Sequence, residues 1–120
     1  MTPPNTASAI SPEIFASLVA GIVLIAVSIP LILEKVGPNR CYGFRTAKTL
    51  SSPEVWYAAN SIAGRDLMSA GVTVLVWDLI LALLILFSIR VPILLGTTSV
   101  LLLAVTFALL HSFWALAKCD

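Results

Sequence analysis

The side chains that could do chemistry are few, and they fall in two places. Arg40, Arg45 and Lys48 crowd into the stretch GPNRCYGFRTAKT (37–49), interleaved with Asn39, Tyr42 and Gly43. Guanidinium forks held on a turn can take a carboxylate or a phosphate in bidentate fashion. The same charges also set membrane topology and suit anionic headgroups, at about 1 kcal/mol each near a lipid surface. Asp78 stands apart, near the centre of the apolar run LMSAGVTVLVWDLILALLILFSI (67–89). A carboxylate there costs several kcal/mol unless it is protonated or paired. Two readings follow: a neutral or hydroxyl-bonded structural group, or a site for protons, cations or a peptide.

The remaining reactive types add little. Cys41 and Cys119 are far apart, without metal-binding spacing, and read as free thiols. His111 has no ligating neighbour in sequence and reads as an interfacial polar residue. With no nucleophile–base pairing, metal-ligand cluster or phosphate-cradling glycine loop, we expect neither an enzyme nor a cofactor.

The elements that must position these groups are apolar. The chain has 120 residues, 59% hydrophobic and 11% charged, with a mean hydropathy of +1.03. A soluble domain carries roughly 25% charged residues, so the composition points to a bilayer. A net charge of +1 gives no field for nucleic acid. Residues 1–12 lack the basic region of a secretory signal and read as a disordered external tail. Residues 13–118 then form one membrane domain.

Its first span is 14–33, an uncharged run of roughly 30 Å as a helix. The second is 67–89 and the third 91–117, with Arg90 and Pro92 marking a tight hairpin between them. Lys35, Arg40, Arg45, Lys48 and Arg65 all fall in loop 34–66, and the N-terminal tail has no basic residue. The positive-inside rule therefore predicts a cytoplasmic loop and C-terminus and an external N-terminus. On α-helical spacing, Gly71 and Ala82 share the broad face of Asp78, which turns that residue toward the bundle. Counted from the Arg90 turn, Ser99 and Thr106 come within about one helical turn of its level, while His111 lies some 13 Å deeper. Hydroxyl satisfaction of Asp78 by Ser99 or Thr106 is thus expected, and an Asp78–His111 pair is not.

Loop 34–66 has two parts. Residues 37–49 are rich in turn formers. After them, either a capping box from Ser51 to Glu54 or an N-cap at Ser52 followed by Pro53 starts a helix. Val55, Trp56, Ala59, Ile62 and Ala63 give it one apolar face, and Trp56 and Tyr57 suit the membrane–water boundary. We expect a short cytoplasmic interfacial helix that breaks or bends at Gly64. The predicted fold is an all-α integral membrane protein with three transmembrane helices and this additional helix.

Asn39, Arg40, Tyr42, Gly43, Phe44, Arg45, Thr46, Lys48 and Thr49, followed by Trp56, Asn60 and Gly64, together resemble the signature of the SdpI/YfhL family of small bacterial membrane proteins. In that family the pattern runs close to N-R-W-Y-G-[FIL]-R-T-P-x-T, then a Trp and an Asn in a following helix, then Gly. The motif covers about a quarter of the chain, and the three-span layout covers the rest except the tail. Cys41 stands where the family usually has Trp, and Ala47 where it usually has Pro. The family is named for a protein that protects a bacterium from its own membrane-active toxin and holds a repressor at the membrane. Such members are longer, and this chain resembles their C-terminal module.

The resemblance implies an inner-membrane immunity or toxin-resistance factor. Its partners would be the lipid bilayer and a toxin peptide or cytoplasmic regulator. The motif residues and Asp78 are the candidate sites. The rival readings are a small transporter or channel subunit using Asp78, built as a homo-oligomer because three helices enclose little, and an accessory subunit that presents the loop to a cytoplasmic partner.

Overall fold

The computed structural model describes residues 11–89 and 92–118, and within them three helices: α1 (Pro12–Ile32), α2 (Pro53–Leu86) and α3 (Ile93–Ala117). Each is long and apolar enough to cross a membrane, and the described residues contain no strand. Tail residues 1–10, Arg90 of the hairpin turn and Cys119 lie outside the described residues.

Local signals set the helix ends. Ser11 caps α1 by accepting from the Ile14 amide at 3.4 Å, with Pro12 at the first position and Glu13 in the positive first turn. At its far end Glu34 adopts φ 55°, and the Lys35 and Glu34 amides return to the Pro30 and Leu31 carbonyls. This closes a Schellman motif without glycine. Ser88, at φ 59°, ends α2 in the same way: the Ser88 and Ile89 amides reach the Ile85 and Leu84 carbonyls. Of the two expected starts for α2, the Ser52 cap followed by Pro53 is the one formed, with Ser52 Oγ accepting from the Val55 amide at 3.3 Å. Pro92 is the N-cap of α3 and not a residue of its first turn.

The separate interfacial helix does not exist. α2 runs unbroken for 34 residues through Gly64, so the predicted short helix and second span are one element. The loop accordingly shortens to 33–52. Glycine breaks a helix only when nothing compensates its conformational freedom, a loss of about 1 kcal/mol relative to Ala. At Gly64 close packing compensates: a β-carbon there would lie 2.9 Å from Ile32 Cγ1 and 3.0 Å from Leu31 Cβ of α1. Gly71, two turns on, meets Gly21 in the same seam, where a β-carbon would come 2.8 Å from the Gly21 carbonyl oxygen. Small residues let the two backbones approach, which is the usual basis of helix association in lipid.

α2 packs against both α1 and α3, while α1 and α3 touch much less. The bundle's outside is apolar, with Phe15, Ile22, Leu79, Leu86, Leu103, Phe107 and Leu110 all exposed. Its inside holds Ser17, Ser28, Asn60, Asp78, Thr97 and Ser112, all buried. An exposed apolar surface of this extent is stable in hydrocarbon and not in water.

Candidate functional site

The C-terminal ends of α1 and α3, the N-terminal end of α2 and the 33–52 loop share one end of the bundle. Most of the loop motif is spent on its own architecture. Asn39 uses all its bonding capacity: Oδ1 accepts from the Cys41 and Tyr42 amides at 2.8 and 2.7 Å, and Nδ2 donates to the Gly37 and Tyr42 carbonyls at 2.8 and 2.9 Å. Aspartate could not supply those two donors. Thr46 and Thr49 cap each other reciprocally, the Thr46 amide donating to Thr49 Oγ1 at 2.7 Å and the Thr49 amide to Thr46 Oγ1 at 3.1 Å. Thr49 is fully buried.

α2 then grips the loop. Trp56 is not a lipid-facing anchor but wholly buried, its indole Nε1 donating to the Val36 carbonyl at 2.8 Å. Asn60 Oδ1 accepts from the Phe44 amide at 2.6 Å, while its Nδ2 donates to the Phe44 and Trp56 carbonyls at 3.3 and 3.0 Å. Gly43, at φ 109°, lies so close beneath that a β-carbon would sit 2.6 Å from Asn60 Oδ1. Both the backbone angle and the space therefore require glycine. Phe44 completes the attachment with an edge-on contact to Phe113 of α3, ring centroids 4.9 Å apart. A cavity of about 240 Å³ lies under this roof, lined by Val27, Leu31, Tyr42, Phe44, Ala63 and Ser112 among others.

Tyr42 ties the loop to α1 by donating its hydroxyl to the Val27 carbonyl. Burial raises the phenol above the usual tyrosine value, because the phenolate would form away from water. The stabilisation is therefore full below about pH 10 and is lost as pH rises through the higher folded value. In melts across this range, wild type should exceed Tyr42→Phe by a margin that shrinks with alkali. A margin independent of pH would contradict the assignment.

What the motif leaves outward is basic. Arg40, Cys41 and Arg45 are exposed and Lys48 is half-buried. Arg45 Nη1 donates to the Arg40 carbonyl at 2.6 Å, which fixes one edge of its guanidinium. Among the described residues no carboxylate pairs with any of these cations.

A second cluster at this end escaped the sequence reading. Asp66 of α2 receives Ser112 Oγ at 2.7 Å and stands 2.8 Å from His111 Nδ1, joining α2 to α3. His111 is also stacked between Phe107 and Trp114, and Lys118 Nζ sits 3.7 Å over the Trp114 ring. With Asp66 placed in a loop, no register could be assigned to it. Counting from Ile89 along a continuous helix, Asp66 lies about 23 residues back and His111 about 22 on, which is the same level.

Asp78 belongs to the opposite end, eight residues before Leu86 and so about 12 Å below the end of α2. It faces the bundle and is far from His111, as expected. Its expected hydroxyl partners are not there: Ser99 and Thr106 face outward. The hydroxyl facing the carboxylate is Ser17 of α1, a helix that counting along the hairpin leaves out.

The model of the SdpI/YfhL protein family matches residues 35–115. The chain belongs to this family. Searches of curated proteins and of solved structures return no match. The SdpI/YfhL match begins at the loop and runs to within a few residues of the end of α3, so it includes the Asn39, Thr46–Thr49 and Asn60 bonds and the Asp66–His111 cluster. The α1 residues Ser17 and Gly21 precede it.

Proposed function

We propose that this multi-pass membrane protein is an SdpI-like bacterial inner-membrane factor that confers immunity or resistance to a membrane-active toxin peptide. One observation carries the reading. The motif side chains Asn39, Thr46, Thr49, Trp56 and Asn60 bond inward, which leaves Arg40 and Arg45 exposed on a fixed frame. Topology alone needs positive charge, not two arginines on a frame. Guanidinium groups so held suit a carboxylate or phosphate of a toxin, of its target or of a cytoplasmic regulator. The positive-inside rule supports a cytoplasmic loop and C-terminus with the N-terminus outside. The protein would act by binding the toxin in the membrane or by occupying its target.

The test is challenge of a sensitive host with endogenous killing peptide. Wild type is expected to protect, and Arg45→Ala to insert normally yet lose protection by about 10–100-fold, the equivalent of a lost charge-assisted bond. Unchanged sensitivity on deleting the wild-type gene would end the immunity reading.

A further inference from the structure

Asp78 and Ser17 are 3% and 5% exposed. Neither carboxylate oxygen and not Ser17 Oγ has a hydrogen-bond partner among the described residues, although the hydroxyl faces the carboxylate. One turn to either side of Asp78 on its own helix stand Val74 and Leu81, both buried and apolar. On the α3 side the Trp77 indole closes against Gly96, whose β-position lies 3.4 Å from the ring. On the α1 side the packing opens. Ser17 lines a groove of about 430 Å³ between α1 and α3, with Thr97 and Thr98 on the other wall and Glu13 one turn closer to the helix end.

This is an oxygen-only site with one deep negative charge. Glu13 is the titratable group with which α1 lines the groove, and the groove residues of α3, Thr97, Thr98, Leu101 and Leu102, carry two hydroxyls and no charge. An ionised carboxylate with no donor is unstable in such surroundings and demands a compensating positive charge. A single carboxylate is neutralised by a monovalent ion, whereas a divalent one would leave excess charge in hydrocarbon. Hydroxyl and carboxylate oxygens are ligands for hard cations. The near-complete burial of both residues excludes ammonium side chains and larger organic cations.

We propose that Asp78, together with Ser17, binds one monovalent cation, a proton or an alkali-metal ion, that enters from the hairpin end through the α1–α3 groove past Glu13. The site is independent of the toxin reading, which rests on the other end of the bundle.

The test is difference infrared spectroscopy of the full chain in lipid nanodiscs, titrated with acid in choline chloride, NaCl or KCl. Wild type is expected to give a protonated-carboxyl band that persists in Glu13→Gln and is missing from Asp78→Asn. Ser17→Ala should change the affinity about tenfold, equivalent to one pH unit. A titration displaced by NaCl or KCl relative to choline identifies the alkali ion as an occupant, and one identical in all three salts identifies the proton. If Asp78→Asn fails to fold, ¹³C-aspartate labelling of the Asp66→Asn/Asp120→Asn double variant, in which Asp78 is the one aspartate left, must shift the same band. The same band retained in folded Asp78→Asn, or no band in wild type that Asp78→Asn removes, overturns the proposal.

Discussion

Asn60→Leu should detach the 37–49 loop from the bundle while leaving all three helices formed. The substitution keeps the branched shape, at a somewhat larger volume, but removes the acceptor of the Phe44 amide and the donors to the Phe44 and Trp56 carbonyls. Asn60 is 2% exposed, so water cannot easily replace it. Each buried backbone group left unpaired costs about 1–3 kcal/mol, so the Phe44 amide and carbonyl together cost about 2–6 kcal/mol. Gly43 packs on this amide and on the Trp56 ring, and should loosen with it. Hydrogen exchange at the Phe44 amide in detergent micelles reads the effect directly. Protection equal to wild type would show that Asn60 does not hold the loop.

Gly71→Ile should have the other large effect, on the α1–α2 seam. Even a β-carbon at Gly71 would come 2.8 Å from the Gly21 carbonyl oxygen and 3.2 Å from the Ile25 amide nitrogen. Those are backbone atoms, which cannot swing aside as a side chain does, so α1 must move as a whole. Overpacking typically costs about 1–3 kcal/mol. We expect Gly71→Ala to fall in that range and Gly71→Ile to exceed it. Gly96→Ala is the internal contrast, since its nearest contact is the Trp77 ring at an ordinary 3.4 Å. It should be neutral or stabilising by up to about 1 kcal/mol, the propensity gain of Ala over Gly. Unfolding in mixed micelles with rising SDS orders the three variants. Equal stability of Gly71→Ile and wild type would mean that the helices are not in contact there.

The spans were legible because apolar runs of this length have few other uses, and the Ser52–Pro53 helix start because capping chemistry is local. Gly64 misled because breaker and close-contact roles use the same residue, and only the neighbouring helix separates them. That one error moved Asp66 into a loop and hid its pairing with His111. The motif residues were visible as a set through their family resemblance. Their division of labour was not: Asn39 and Asn60 act on backbone groups, which every residue has and no sequence pattern marks. Ser17 faces Asp78 across an α1–α2 contact whose register no short hairpin fixes.

The length of α2 has a mechanical consequence. Thirty-four residues make a rod of about 51 Å, some 20 Å more than the roughly 30 Å hydrocarbon thickness. That excess either projects beyond the acyl chains or is taken up by tilt, and the loop is fastened to the same end of α2 through Trp56 and Asn60. Transmembrane helices tilt to match the bilayer they occupy. Where about 20 Å of α2 projects at the loop end, a change of about 10° in its tilt sweeps that end sideways by about 3–4 Å. Arg40 and Arg45 sit on a loop tied to α1 at Val27, to α2 at Trp56 and Asn60 and to α3 at Phe113, so a tilt of the bundle that matches bilayer thickness would carry their charges with it.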